Sequence, residues 1–292
     1  MDDPTGRAPV KIAVIGHVEW AELAPVERVP EQGDIVEVPE TFEVAAGGAA
    51  VAAVQIARLA GDCLFLTAVG GDARGGLVVP ELAERGVRAE AATRDTDQRR
   101  AFVYLDAEGE RTITTIGTRV FPEVEDPLPW DELEGSDAVY VTAGNAETLK
   151  AARAAKNVVA TVRAGAALTE SGVGVDVLVA SANDAGEQYT RGDIEPAPRW
   201  VVRTDGSRGG SLEDLDSKVT HWEPHPPMDA KGDSYGAGDS FAGGITYGLG
   251  RGLSIEQAIS VGAFCGASAV RGQGPYGAQA SAEELADWEK TL

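Results

Sequence analysis

Short apolar runs ending near glycine alternate along this chain with longer segments of helical period, and that alternation limits the fold more than any other feature. VKIAVIG ends at Gly16. From Gly48 to Ala60, GAAVAAVQIARLA reads as an Ala-rich helix, with Val51, Val54, Ile56 and Leu59 supplying its apolar faces. CLFLTAVGG then reads as a buried strand, and LVVPELAERGV as a helix stopped by Gly86. Further along come DAVYVTAG, the helix ETLKAARAA, NVVATVRAG and VDVLVAS. RWVVRTDGSRGGSL reads as a strand, a turn and a return strand, and an amphipathic helix spans about 282–290. Strands joined by helical crossovers imply an α/β fold with a mostly parallel central sheet.

Two stretches depart from this rhythm. RRAFVYLD and RTITTIG flank AEGE, which is the signature of a hairpin with a Gly-containing turn. GDIVEV and TFEV, before Gly47-Gly48, are also extended in pattern. Together they predict a small β-sheet, with strands from about 33–46 and 99–118, projecting from the α/β body. Periodicity alone fits a lid and an ordinary edge hairpin equally well. The sequence shows no internal repeat, low-complexity tract or linker, so residues 1–292 read as one domain.

The stretch with most chemistry in it is GDSYGAGDSFAGG, from Gly232 to Gly244. Phe241, Ile245 and Leu249 recur at four-residue spacing, so a helix begins near Gly238 with Gly236, Ala237 and Gly238 forming the turn into it. A helix N-terminus leaves backbone N–H groups unpaired at the positive end of its dipole. Residues this small let an anion reach those groups. Asp239 lies in the first turn. By itself an acid there is often no more than a dipole partner. A second acid at Asp233, the small trio, Ser240 and the Gly243-Gly244 pair together favour a different reading, in which the acid is a general base beside an anion site.

Asp233-Ser234-Tyr235-Gly236-Ala237-Gly238-Asp239 closely resembles the D-T-T-G-A-G-D signature of the ribokinase-like (PfkB) carbohydrate kinases. Gly47-Gly48 with the helix ending ARLAG is similar to that family's N-terminal signature. VGGD with Gly75 is similar to its V-G-x-D-x-x-G segment, and Thr204 to Gly209 to its T-x-G-x-x-G element. The resemblance covers essentially the whole chain, in order. It implies a three-layer α/β/α ribokinase-like fold with a small β-sheet lid over the sugar. It implies ATP and Mg2+ as cofactors, Asp239 as the base that deprotonates a sugar hydroxyl, and the amides of Gly236, Ala237 and Gly238 as the anion hole. Thr204, Gly206, Gly209 and Asn183 are then expected along the nucleotide, and Glu19, Trp20, Gly47 and Gly48 around the substrate. Asn183, Asp184 and Glu187 are the candidate metal residues, and Asp233 is the candidate for a monovalent cation. A homodimer through lid sheets is a further expectation.

The chain also departs from the family pattern. Ala52 stands where the N-terminal signature carries Asn. In GHVEWA, Glu19 and Ala21 replace the Asn and Asp that hold sugar hydroxyls, so ribose is not the expected acceptor. The segment Val159 to Arg163 keeps only the arginine of D-x-N-x-R. Asn183-Asp184-Ala185-Gly186-Glu187 alters N-x-x-E, and Tyr235 replaces a usual Thr. Nucleoside phosphorylation on the same fold remains an alternative, with Trp20 as a stacking face. A ligand-binding regulator is the alternative from outside the enzymes, and the intact Asp239 cradle speaks against it.

Composition excludes other partners. With 25 Lys+Arg against 47 Asp+Glu, the formal charge is −22, which argues against nucleic acid and anionic membrane. A phosphate-bearing small ligand stays open, because a few arginines and a metal ion can reverse the potential locally. Cys63 and Cys265 lie in apolar runs and read as reduced, buried thiols. MDDPTGRAPVKIAVIG has no cationic region before a long apolar stretch, so a cytoplasmic protein is expected. No G-x-x-x-x-G-K-[ST] occurs, which argues against a P-loop kinase, and Gly248 to Gly252 follows a helix where a dinucleotide fingerprint would open one.

Overall fold

The computed structural model describes residues 9–225 and 232–291; the first eight residues, part of the N-terminal stretch read above for a leader, lie outside it. In chain order the strands are β1 (Ile12–Ile15), β2 (Glu19–Pro25), β3 (Phe42–Ala46), β4 (Cys63–Gly70), β5 (Val87–Arg94), β6 (Arg100–Leu105), β7 (Arg111–Ile116), β8 (Ala138–Val141), β9 (Asn157–Thr161), β10 (Val177–Ser181), β11 (Trp200–Thr204), β12 (Gly210–Glu213) and β13 (Val219–Trp222). The helices are α1 (Gly48–Ala60), α2 (Ala73–Ala83), α3 (Ala146–Ala152), α4 (Gly165–Ser171), α5 (Ala237–Gly250), α6 (Ile255–Ala269) and α7 (Ala282–Glu289).

Nine strands form one sheet in the order β13-β12-β11-β10-β9-β8-β1-β4-β5. It is parallel from β11 to β5, and the return strands β12 and β13 are antiparallel. β1, β4 and β8 are buried along their whole length, as strands covered on both faces must be. Alternate residues of one strand therefore feed two different cores. Ile12 and Val14 pack with Ile56, Phe241, Ile245 and Ile259 beneath α1, α5 and α6. Ala13 and Ile15 pack with Leu149 and Leu168 beneath α3 and α4. The result is the α/β/α sandwich expected from the sequence.

A separate sheet, β3-β2-β6-β7, forms the lid. The 99–118 hairpin appears as β6 and β7. The other half differs from expectation, since GDIVEV carries no strand and Ile35 is fully exposed. The strand in its place is EWAELAP, directly after β1. It pairs parallel with β6 and antiparallel with β3. A strand rich in Ala and Glu has little intrinsic β-preference, and here it is made by pairing on both sides. The α2 helix also begins earlier than the sequence suggests, because Asp72 caps it by accepting from the Gly75 N–H at 2.9 Å. Among the described residues no helix is long and apolar enough to cross a membrane.

The tandem glycines of α5 position that helix between two others. A Cβ on Gly243 would lie 3.0 Å from the Ala52 carbonyl of α1. One on Gly244 would lie 2.9 Å from Cys265 Sγ and from Gly262 Cα of α6. Both approaches are too close for a side chain in a close-packed interior. Gly244→Val should therefore lower unfolding free energy by about 1–3 kcal/mol, read as a lower urea midpoint with unchanged slope.

Candidate active site

At the start of α5 the chain turns on Gly236, whose φ of 83° lies in the left-handed region that favours glycine. The first bond of the helix runs from the Ser240 N–H to the Gly236 carbonyl at 2.8 Å. Ala237, expected in the anion hole, donates its N–H to the Ser234 carbonyl at 3.3 Å. The N–H groups of Gly236, Gly238 and Asp239 meet no acceptor among the described residues. These three amides at the positive end of α5 form a cradle that is open to an anion.

Asp239 stands inside this cradle, half-buried, and its carboxylate accepts no hydrogen bond from the described residues. Oδ1 lies 2.8 Å from the point where a Cβ on Gly48 would stand, so the first residue of α1 must be glycine for the acid to sit there. Burial, reinforced by the negative charge of Glu187, pushes the Asp239 pKa up to about 7, against the pull of Arg111 and Arg163. Thr142, at the end of β8, is near the same point, and its Oγ1 is buried without a partner.

The lid is docked onto the loop before α5. The Ser234 N–H donates to the Gly109 carbonyl at 2.8 Å, and Ser234 Oγ donates to Glu110 Oε2 at 3.2 Å. Tyr235 inserts into the lid's apolar cluster with Leu23, Val103 and Leu105. Asp233, the monovalent-cation candidate, accepts from the Tyr235 N–H at 3.0 Å and from the Gly274 N–H at 2.7 Å. Both of its oxygens thus brace the loop.

On the acceptor side, Glu19 opens β2 and packs on Gly47, the cap of α1, where a Cβ would stand 3.3 Å from Glu19 Cγ. Its Oε1 accepts from Arg99 Nε at 2.6 Å and lies 3.9 Å from His17 Nε2. His17 is buried and neutral, its pKa pushed down to about 3 by burial and then by Arg119, Arg99 and Arg163. Trp20, a candidate for stacking on substrate, lies instead within the apolar core at 6% exposure.

The nucleotide candidates gather at the carboxyl ends of β10 and β11. Asn183 Nδ2 donates to Asp205 Oδ1 at 3.1 Å, and the Ala182 N–H donates to the Thr204 carbonyl at 2.9 Å. Gly209 passes so close to the Trp222 carbonyl that a Cβ would stand 2.2 Å from it. Asp184 and Glu187 are both taken by Arg163, at 2.6 and 2.7 Å. No group of three or more His, Cys, Asp or Glu gathers among the described residues to hold a metal. Protein side chains alone thus form no closed metal cage, whereas a Mg2+ carried by phosphates and waters needs only one or two carboxylates.

Sequence reasoning singled out Asp239 with the turn into α5, and the residues after β10 and β11. It missed Thr142, Arg99, Arg111 and Arg119. The one available signal was Arg163, the single retained residue of its segment.

Comparison with known proteins bears on the family and the fold. The family model for pfkB family carbohydrate kinases matches residues 10–282. An ATP-dependent ribose-1-phosphate kinase from Halopiger xanaduensis is 27% identical over 274 residues, covering 88% of this chain and 91% of the relative. Among solved structures, ribokinase from Giardia lamblia superposes with a TM-score of 0.80 at 17% identity, covering 97% of this chain and 99% of that one. A nucleoside kinase from Methanocaldococcus jannaschii superposes at 0.73 and 16% identity, covering 98% and 100%.

The raised pKa of Asp239 has a consequence for stability. Between the ordinary aspartate range near pH 4 and about pH 7, the unfolded chain loses this proton while the folded chain keeps it, so stability falls as pH rises through that window. Asp239→Asn removes the effect. The variant should melt at a higher temperature than the parent at pH 8, and the gap should close as the pH falls towards 4.

Proposed function

This chain belongs to the pfkB family of carbohydrate kinases, ATP-dependent phosphotransferases with an alcohol acceptor, and we propose that it moves the γ-phosphate of ATP to a sugar hydroxyl with Asp239 as general base. One observation carries this reading. Asp239 is an unpaired carboxylate with a pKa near neutrality, set among three unpaired amides at a helix N-terminus. A base tuned close to the working pH is the efficient one.

The chemistry follows from the geometry. The acceptor O–H gives its proton to Asp239 as its oxygen bonds to the γ-phosphorus. The bond from that phosphorus to the bridging oxygen breaks, and ADP leaves with the electron pair. The amides of Gly236, Gly238 and Asp239 would face the oxygens of the group in transit, where fixed dipoles need no reorganisation. Asn183, Thr204, Gly206 and Gly209 are assigned to the nucleotide because they line the carboxyl ends of β10 and β11, where open α/β sheets bind ligands. Magnesium would offset triphosphate charge, with Asp184 and Glu187, which now pair with Arg163, as its candidate carboxylates. The name of the Halopiger relative makes phosphorylated pentoses acceptors worth testing in this chain.

Asp239→Asn should lower kcat by about 10²–10⁴-fold while retaining acceptor binding, measured as ADP release and by calorimetric titration. In the parent enzyme, kcat/KM should fall about tenfold per pH unit below about pH 7 as Asp239 takes up a proton. A flat profile down to pH 5 would remove Asp239 from the base role.

A further inference from the structure

The loop between α6 and α7, residues 270–281, follows the rim of the candidate site and bonds to its parts in turn. The Asp233 N–H donates to the Gly272 carbonyl at 3.1 Å, and the Gly274 N–H donates to Asp233 Oδ2 at 2.7 Å. Pro275 packs on the turn into α5, where a Cβ on Gly236 would lie 3.1 Å from Pro275 Cβ. Tyr276 Oη donates to the Ala45 carbonyl of lid strand β3 at 2.6 Å. The Ala280 N–H and carbonyl pair with the Gln55 side-chain amide of α1, at 3.2 and 2.9 Å.

Gln279, 1% exposed, reaches inward from this loop and joins two helices. Its Nε2 donates to the Val51 carbonyl of α1 at 2.9 Å and to Ser240 Oγ of α5 at 3.0 Å. Val51 is three residues beyond Gly48, and Ser240 follows Asp239. The bridge thus lies within one turn of the place where Asp239 Oδ1 meets Gly48. A carbonyl only accepts, so the amide nitrogen must face Val51, and its two hydrogens diverge at a fixed angle in one plane. Both the distance and the direction between the two helix ends are set by that geometry.

The bridge is unfavourable in one respect. Gln279 Oε1 is buried and has no partner, and an unmet buried acceptor destabilises a fold. Methionine, flexible and apolar, would fill the same space without that penalty. Packing alone therefore does not account for an amide here. Holding Ser240, itself fully buried, at a set distance from α1 does.

We propose that Gln279 is a positioning residue for the transfer reaction: by tying Ser240 to α1, it holds the neighbouring Asp239 carboxylate in place against Gly48. This rests on the reading of Asp239 as the base. Gln279 acts only through the first turn of α5. Such a role has leverage, because a misplacement of about 1 Å can cost a reaction ~100-fold.

Two substitutions cut the bridge from opposite sides, Gln279→Met and Ser240→Ala, and each is made in the full chain with and without Asp239→Asn. The first readout needs no acceptor. In the parent, the gain in melting temperature from Asp239→Asn at pH 8 measures how far the carboxylate is held from water. Glu187, Arg111, Arg163 and Glu19, the charged groups that bear on Asp239, are unchanged in these variants. With the bridge cut, the carboxylate moves towards water and the gain should shrink by about half or more. A residue that only stabilises the fold would lower both melting temperatures alike and leave the gain unchanged.

The second readout is ADP release with ATP, Mg2+ and either ribose or ribose 1-phosphate. Each variant should lose about 10–100-fold in kcat, with KM for ATP within about twofold of the parent. The acid limb of kcat/KM should move below about pH 7. Combining the two substitutions should do no more harm than Gln279→Met alone, since both remove the same bond. Should Gln279→Met not fold, Ser240→Ala decides by itself. A gain at pH 8 that stays at its parental size, or losses that add in the combined variant, would overturn the proposal. A reduced gain with parental kcat would sustain the bridge and sink Asp239 as the base.

Discussion

Two helix N-termini converge on one carboxylate, and the arrangement of the site depends on how closely they approach. Asp239 in the first turn of α5 lies against Gly48, the first residue of α1, with no room for a Cβ between them. The approach continues down the helices, where Gly243 of α5 rests on the Ala52 carbonyl of α1. A side chain at either contact would push the helix ends apart and draw the acid away from the amides around it. The glycines of the two signatures, some 190 residues apart, therefore do a single job: they let two positive dipole ends face the same small volume. Desolvation and the charge of Glu187 push the Asp239 pKa up, against the pull of Arg111 and Arg163.

The lid takes part in this balance through contact and through charge. Its turn bonds to Ser234 just ahead of the cradle, and Tyr235 anchors the loop in the lid's apolar cluster. Arg111, on the lid strand that follows the turn, is one of the cations that pull the Asp239 pKa down. Moving the lid away would loosen the loop and take from the base both the pull of Arg111 and the opposing charge of Glu19.

The sheet, the crossover helices, the hairpin and the glycine turn into α5 were legible because each is written in contiguous residues. VKIAVIG and CLFLTAVGG are apolar throughout since both faces of the sheet are covered. GDIVEV misled for the converse reason. It has the alternation of a strand but no partner to pair with, whereas EWAELAP lacks the pattern and gains two partners. The cluster of His17, Glu19 and Arg99 was illegible for the same physical cause. These residues meet only when β2 and the approach to β6 are assembled beyond β1, and no spacing in the chain announces that meeting.

The charges within the site are arranged by subtraction. In a chain of net charge −22, a negatively charged substrate and nucleotide are repelled at long range, and screening confines that repulsion to about 8 Å at physiological salt. What matters is therefore the local remainder after the pairs cancel. Glu19 neutralises Arg99, and Asp184 and Glu187 together over-neutralise Arg163. Among the described residues the Asp239 carboxylate has no such partner, so on losing its proton it is met only by the pull of Arg111 and Arg163, and burial prevails in raising its pKa to about 7.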